Sequence, residues 1–211
     1  MEVLDRRKFI TAAASGAASL VLPGQAWAAL APTPRQIEGP FYPLTLPLDA
    51  DADLVTVAGR GEPAKGVLTH VVGRVLDGDG RAISGARVEI WQCDALGHYH
   101  HPRDGGGADP NFQGYGAVVT DREGSYRFRT IRPVAYPGRT PHIHFALSGR
   151  GLDRFTTQMY VAGEPLNDRD IVLSRIRDPA ARQRVIVTLE QADVIETGAL
   201  LGRFDIVVGA A

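Results

Sequence analysis

From Val67 onward, apolar and polar positions alternate in short runs. "VLTHVVGRVLD" (67–77) and "ARVEIWQCD" (86–94) are rich in β-branched and aromatic residues, and "GDGRAISG" between them carries the glycines and aspartate of turns. "AVVTD" (117–121), "REG" (122–124) and "SYRFRTI" (125–131) repeat the scheme of strand, tight turn, strand. Tyr126, Phe128 and Thr130 alternate with Arg127, Arg129 and Ile131, the period of two of a mostly half-buried strand. "HIHFALSG" (142–149), "FTTQMYV" (155–161), "RVIVTLE" (184–190) and "GRFDIVVG" (202–209) add further strands. Helical character is weak and confined to 165–184. Short strands with regular turn signals predict an all-β fold, an antiparallel β-sandwich over residues 67–211.

Three segments break this regularity. Asp94–Tyr115 ("DALGHYHHPRDGGGADPNFQGY") and Arg132–Pro141 are long connections, and loops of that kind on a sandwich tend to carry function. Residues 29–66 are rich in Pro and Gly and lack periodicity, yet Ile37, Phe41, Tyr42 and Leu44 are too apolar for a solvated tail. They are expected to form an extended arm lying on the domain.

Residues 1–28 have a different character. A charged start containing Arg6-Arg7-Lys8 leads into an Ala-rich apolar run and then Ala26-Trp27-Ala28. This reads as a twin-arginine export signal with an A-x-A cleavage site, the apolar run being too short for a membrane span. An exported protein without a stable membrane anchor after cleavage is expected, periplasmic or extracellular. Formal net charge is −1 with scattered basic residues, so nothing marks a nucleic-acid surface. The one cysteine, Cys93, excludes an internal disulfide and reads as a small buried filler.

The chemistry concentrates in "PVAYPGRTPHIHF" (133–145). His142 and His144 are two apart in a strand, so they share a face while Ile143 turns away, a ready bidentate metal grip. Tyr136 sits in a loop held by Pro133, Pro137 and Pro141, and proline lowers the cost of fixing one shape. Tyr99 lies in the other long loop, within "GHYHH". A phenolate at neutral pH needs a strong cation beside it, and tyrosinate is an iron ligand, whereas zinc selects cysteine, histidine or carboxylate. Two tyrosines with two histidines therefore point to ferric iron. "HYHH" leaves open an all-histidine copper or zinc site through His98, His100 or His101.

The stretches "GRVLDGDGRAISGARVEIWQCDALGHYHH", "DPNFQGYGAVVTDREGSYRFRTIRPVAYPGRTPHIHF" and "TTQMYVAGEPL" resemble the intradiol ring-cleavage dioxygenases, and within them the iron-binding subunit of protocatechuate 3,4-dioxygenase. The resemblance covers roughly residues 33–208. It implies one Fe(III) per site held by Tyr99, Tyr136, His142 and His144. Arg139 falls on the family's charge-stabilising arginine, Gln158 and Tyr160 on its T-Q-x-Y segment, and Trp91 on a pocket tryptophan. Tyr136 falls on the tyrosinate that leaves the metal when substrate binds. "EGPFYP", with Pro40 and Phe41, resembles an arm that walls the substrate pocket, in some members from a partner subunit, and so admits a homo-oligomer. The implied activity is cleavage of a catechol between its hydroxylated carbons with O2. Two rival readings stand beside it: a histidine-based metal-binding module without ring cleavage, and a non-catalytic adhesion or carbohydrate-binding sandwich.

Overall fold

A computed structural model of the chain describes residues 29–149 and 151–209. The expected export signal, 1–28, lies outside the described residues. Ten strands form the domain: β1 (Leu68–Asp77), β2 (Arg87–Trp91), β3 (Tyr115–Val119), β4 (Ser125–Ile131), β5 (His142–Gly149), β6 (Leu152–Val161), β7 (Ile186–Val187), β8 (Leu189–Gln191), β9 (Leu200–Arg203) and β10 (Ile206–Val208). One sheet runs β10-β1-β9-β8 with β4 paired to β1; the other runs β3-β2-β5-β6-β7. Among the described residues helix is limited to α1 (Pro179–Gln183) and three 3-10 turns. Among the described residues no helix is long and apolar enough to cross a membrane.

The all-β expectation holds, but the sheets are mixed rather than antiparallel. β1 pairs in parallel with β9 and β10, and β6 with β7. For β6 and β7 the long segment after Val161 makes this possible. It carries the chain back across the molecule before β7, and such a crossover permits a parallel neighbour where a tight hairpin would not. Two runs that read as single strands are also split. "RVIVTLE" changes sheets at Thr188, so β7 joins β6 while β8 joins β9. "GRFDIVVG" breaks at Phe204-Asp205 between β9 and β10.

The core lies between the sheets. Val88 and Ile90 of β2, Ile143, Phe145 and Leu147 of β5, and Phe155 and Met159 of β6 meet Val71, Val75, Phe128 and Ile206 of the other sheet. Phe145 packs edge-on against Phe204 at 5.1 Å. Each such fully buried side chain contributes about 1.5–3 kcal/mol. The alternate residues of the same strands point outward: Glu89 and Trp91, His142 and His144, Gln158 and Tyr160. Cross-strand register aligns Trp91 with His144, His144 with Gln158, and His142 with Tyr160. This outer face is nonetheless buried, because residues 29–66 cross it. Gln36 N donates to Thr156 O of β6, Ala117 N of β3 donates to Ala50 O, and Phe41 and Tyr42 pack on a second apolar cluster around Trp91, Tyr99 and Tyr115. Arg154 bridges Glu38 of this segment to Glu89 of β2 and stacks over Tyr42.

Candidate metal centre

Each site side chain is placed by a local device. In Tyr136-Pro137-Gly138-Arg139 the Arg139 amide donates to Tyr136 O at 2.9 Å and Gly138 has φ 81°. Proline followed by a positive-φ glycine is the pattern of a tight type II turn, and it sets Tyr136 and Arg139 side by side. Tyr99 is held by a loop organised on buried Asp94. One Asp94 oxygen accepts from Leu96 N and His98 N, and the other from Asp109 N across the loop. His142 and His144 come from β5, on the face away from the core, as strand alternation requires.

The four rings close a circuit. Centroid separations are 5.5 Å for Tyr99–Tyr136, 5.5 Å for Tyr136–His142, 4.8 Å for His142–His144 and 6.3 Å for His144–Tyr99. His142 Nδ1 lies 2.6 Å from Thr140 O, so it carries the proton and leaves the Nε2 lone pair free. That lone pair faces His144 Nε2 at 3.2 Å. Burial, and then the Arg139 charge, push the His142 pKa down to about 3; burial and His142 hold His144 well below its ordinary value. Both imidazoles are therefore neutral, the form that binds metal. Burial raises Tyr99 well above the ordinary phenol value and raises Tyr136 too, with Arg139 opposing at Tyr136. The Tyr99 hydroxyl and His144 Nδ1 are buried without any hydrogen-bond partner. An orphaned polar atom is costly in a folded core, and a cation that takes Tyr99 as phenolate removes that cost at Tyr99, while one held by His144 Nε2 leaves Nδ1 as it is. This donor set fits ferric iron.

Arg139 is fixed on three sides. Its Nε donates to Asp170 at 2.8 Å, Nη2 to Gln158 Oε1 at 2.6 Å, and Nη1 lies 3.4 Å from the Tyr136 hydroxyl. Gln158 Oε1 also accepts from Tyr160, while its Nε2 donates to Ile37 O of the N-terminal segment. Trp91 stacks on His144 at 4.8 Å, and Phe41 stacks on Tyr99 at 4.5 Å. Pro40, next to Phe41, is exposed. Gly39 has φ 81°, and an added Cβ there would sit 3.2 Å from His144 Cε1, so the backbone passes close over that ring. Cys93 is buried and its thiol is pushed up to about 12 by burial.

Two residues of the site escaped the sequence reading. Asp170 is fully buried and accepts from Arg139, Thr140 N, Val172 N and Leu173 N. Gln36 donates to the Tyr160 hydroxyl and accepts from Gln158 N. Asp170 bonds the amides two and three residues on, a signal that turn chemistry offers, but nothing in the sequence links it to Arg139; Gln36 sits in no such pattern. The all-histidine alternative is not supported. His98 pairs with Asp104, His100 Nε2 lies 3.0 Å from Asp109 O, and His101 Nδ1 accepts from Arg103 N, so these rings hold their own loop together. Among the described residues no group of three or more His, Cys, Asp and Glu is placed to hold a metal ion.

A two-sheet sandwich that presents phenols and imidazoles on one covered face defines a class, and the comparisons agree on it. The family model described as dioxygenase matches residues 37–210. The chain belongs to the intradiol ring-cleavage dioxygenase family, iron-dependent oxidoreductases. It is 44% identical over 173 residues to the protocatechuate 3,4-dioxygenase beta chain of Burkholderia cepacia, covering 77% of this chain and 72% of that protein. It is 31% identical over 179 residues to catechol 1,2-dioxygenase of Candida albicans, covering 76% and 55% respectively. The chain thus spans about half the length of the catechol 1,2-dioxygenases it matches. Among solved structures, the dioxygenase domain of a dioxygenase–carbohydrate-binding protein fusion from Streptomyces sp. SirexAA-E superposes with a TM-score of 0.67 at 31% identity, covering 86% of this chain and all of that one. Catechol 1,2-dioxygenase from Pseudomonas arvilla C-1 gives 0.63 at 27% identity, covering 85% and 62%.

Proposed function

We infer that Tyr99, Tyr136, His142 and His144 hold one ferric ion, and that the protein cleaves a catechol-type ring between its two hydroxylated carbons with O2, giving a cis,cis-muconate-type product. The closed circuit of four rings, with the two histidine Nε2 atoms 3.2 Å apart, carries this reading. When bound, the ion supplies Lewis acidity and a template for both catechol oxygens.

The chain's own residues do the rest. Tyr136, the less buried of the two tyrosines, would take a catechol proton only as the phenolate that the ion holds, being a neutral phenol without it; Tyr99, almost fully buried beneath Phe41, keeps its place. Arg139 holds a positive charge beside Tyr136, where negative charge develops on the reacting ring. Fixed in advance by Asp170 and Gln158, it need not reorganise during reaction. Gln158 and Tyr160 position that guanidinium, Trp91 braces the His144 ring, and Pro40 and Phe41 wall the pocket and keep water from it. O2 is the second substrate.

The same reading assigns residues 29–66 as the pocket-walling arm of a catalytic domain spanning 67–211. It assigns residues 1–28 as a twin-arginine signal that delivers the protein outside the cytoplasm, where aromatic fragments of plant material are met. Sedimentation of the purified protein decides between monomer and homo-oligomer, and cell fractionation of an Arg6→Lys, Arg7→Lys double variant tests export.

The central test is iron content, visible absorbance and oxygen uptake on one preparation. A burgundy protein with one iron per chain that consumes O2 with catechol is expected. An iron-loaded but colourless protein would rule out phenolate ligation.

A further inference from the structure

A cavity of about 610 Å³ adjoins the four-ring cluster on the side of Tyr99 and Trp91, both of which line it. The N-terminal segment builds one wall, including Phe41, Leu48 and Asp49; the loop before β3 builds another, including Phe112 and Gln113. The volume suits a drug-sized ligand of several hundred Å³ and exceeds what a bare catechol ring fills.

The lining restricts what the cavity accepts. No lysine or arginine is among its described lining residues, and Asp49 contributes a carboxylate. The arginines near the site are already engaged. Arg139 holds Asp170 and Gln158, and Arg87 and Arg154 share Glu89. A substrate carboxylate placed here would meet no lysine or arginine, only the His100 ring already engaged with Asp109 O, and would face the like charge of Asp49. The walls otherwise favour apolar or aromatic surface.

We propose that this cavity seats the ring substituent of the substrate, and that the preferred catechols carry a bulky, neutral substituent rather than a carboxylate. The proposal rests on the ring-cleavage reading above and separates the chain from its protocatechuate-named relative on chemical grounds.

The test measures kcat/KM by oxygen uptake on iron-loaded protein with three substrates: catechol, protocatechuate, and a catechol bearing a para-hydroxyphenyl group. The hydroxyphenyl catechol is expected to exceed protocatechuate at least tenfold. Equal or better use of protocatechuate, with catechol cleaved, overturns the substituent assignment alone. Failure to cleave any of the three overturns the ring-cleavage reading and this proposal with it. Ala58 lines the cavity but is exposed, so Ala58→Trp fills space without disturbing the core. It is expected to lower kcat/KM for the hydroxyphenyl catechol at least tenfold more than for catechol. No change, or a parallel fall for both, places the substituent elsewhere.

Discussion

The Nε2 atoms of His142 and His144 face each other at 3.2 Å from adjacent same-face positions of one strand. With the His142 proton committed to Thr140 O, its Nε2 lone pair faces His144 Nε2, and it is satisfied either by the His144 proton or by a cation that both nitrogens share. His142→Ala and His144→Ala are therefore expected to lose iron while keeping the β-sandwich. Metal analysis with far-ultraviolet circular dichroism checks both at once, and full iron occupancy in either variant would remove that histidine from the site.

Tyr136 and Tyr99 meet edge to face at 5.5 Å, and both are protonated when buried without a cation. Phenolate-to-iron charge transfer would then depend on each hydroxyl. Tyr136→Phe is expected to shift or bleach the visible band and slow turnover, with iron retained through the remaining ligands. An unchanged spectrum and rate would exclude Tyr136 as a ligand.

Much of this was legible along the chain. The boundaries of β4 and β5 follow the alternation of "SYRFRTI" and "HIHFALSG" residue for residue, because one face of each strand meets the core. The pairing of His142 with His144 on one face needed only the strand period. The meeting of Tyr99 with them did not follow from period or spacing; the likeness to a family implied it, since loop geometry depends on contacts such as Asp94 with Asp109 that lie far apart in sequence. The parallel pairings of β7, β9 and β10 were hidden for the same reason: two- to four-residue strands carry too little pattern to declare their neighbours. The turn that Asp170 makes with Val172 N and Leu173 N is local, but its ion pair with Arg139, which gives it a place in the site, joins residues far apart in the chain.

Arg139 is almost fully buried, and its side-chain partners there are Asp170, Gln158 and Tyr136. Arg139→Ala should retain iron and colour but lower kcat about 10²-fold, the scale of losing one preorganised charge beside a developing one. Normal turnover would mean the guanidinium serves structure alone. Arg139→Lys should recover little, because an ammonium cannot span Asp170 and Gln158 with one fork.

Asp170 gives a pH dependence with a definite sign. Burial raises its pKa, but the Leu173 N–H, the Arg139 guanidinium and the Thr140 N–H outweigh that and hold it below the ordinary carboxylate value. A depressed carboxylate contributes stability that is complete above its unfolded pKa of about 4 and fades as pH falls through the folded value. Asp170→Asn leaves a buried guanidinium unpaired, and should cost about 3–5 kcal/mol at neutral pH. Denaturant titrations between pH 7 and pH 2 should show the gap between wild type and variant closing toward acid. A gap that stayed constant would assign the Asp170 contribution to packing.

Gly39 tests whether the N-terminal segment is part of the site or only rests on it. Its φ of 81° disfavours any residue with a Cβ, and that Cβ would lie 3.2 Å from His144 Cε1. Gly39→Ala should therefore cost about 1–2 kcal/mol in backbone strain, and the segment should lift slightly to clear the ring. Lifting Gly39 pulls on Ile37 O, which Gln158 holds, and on Phe41, which covers Tyr99. The expected result is a raised KM for catechol and a shifted visible band at unchanged iron content, because the pocket wall moves while the ligands stay. If stability falls but KM and spectrum match wild type, the segment is a structural cover, and the substrate enters and binds without touching it.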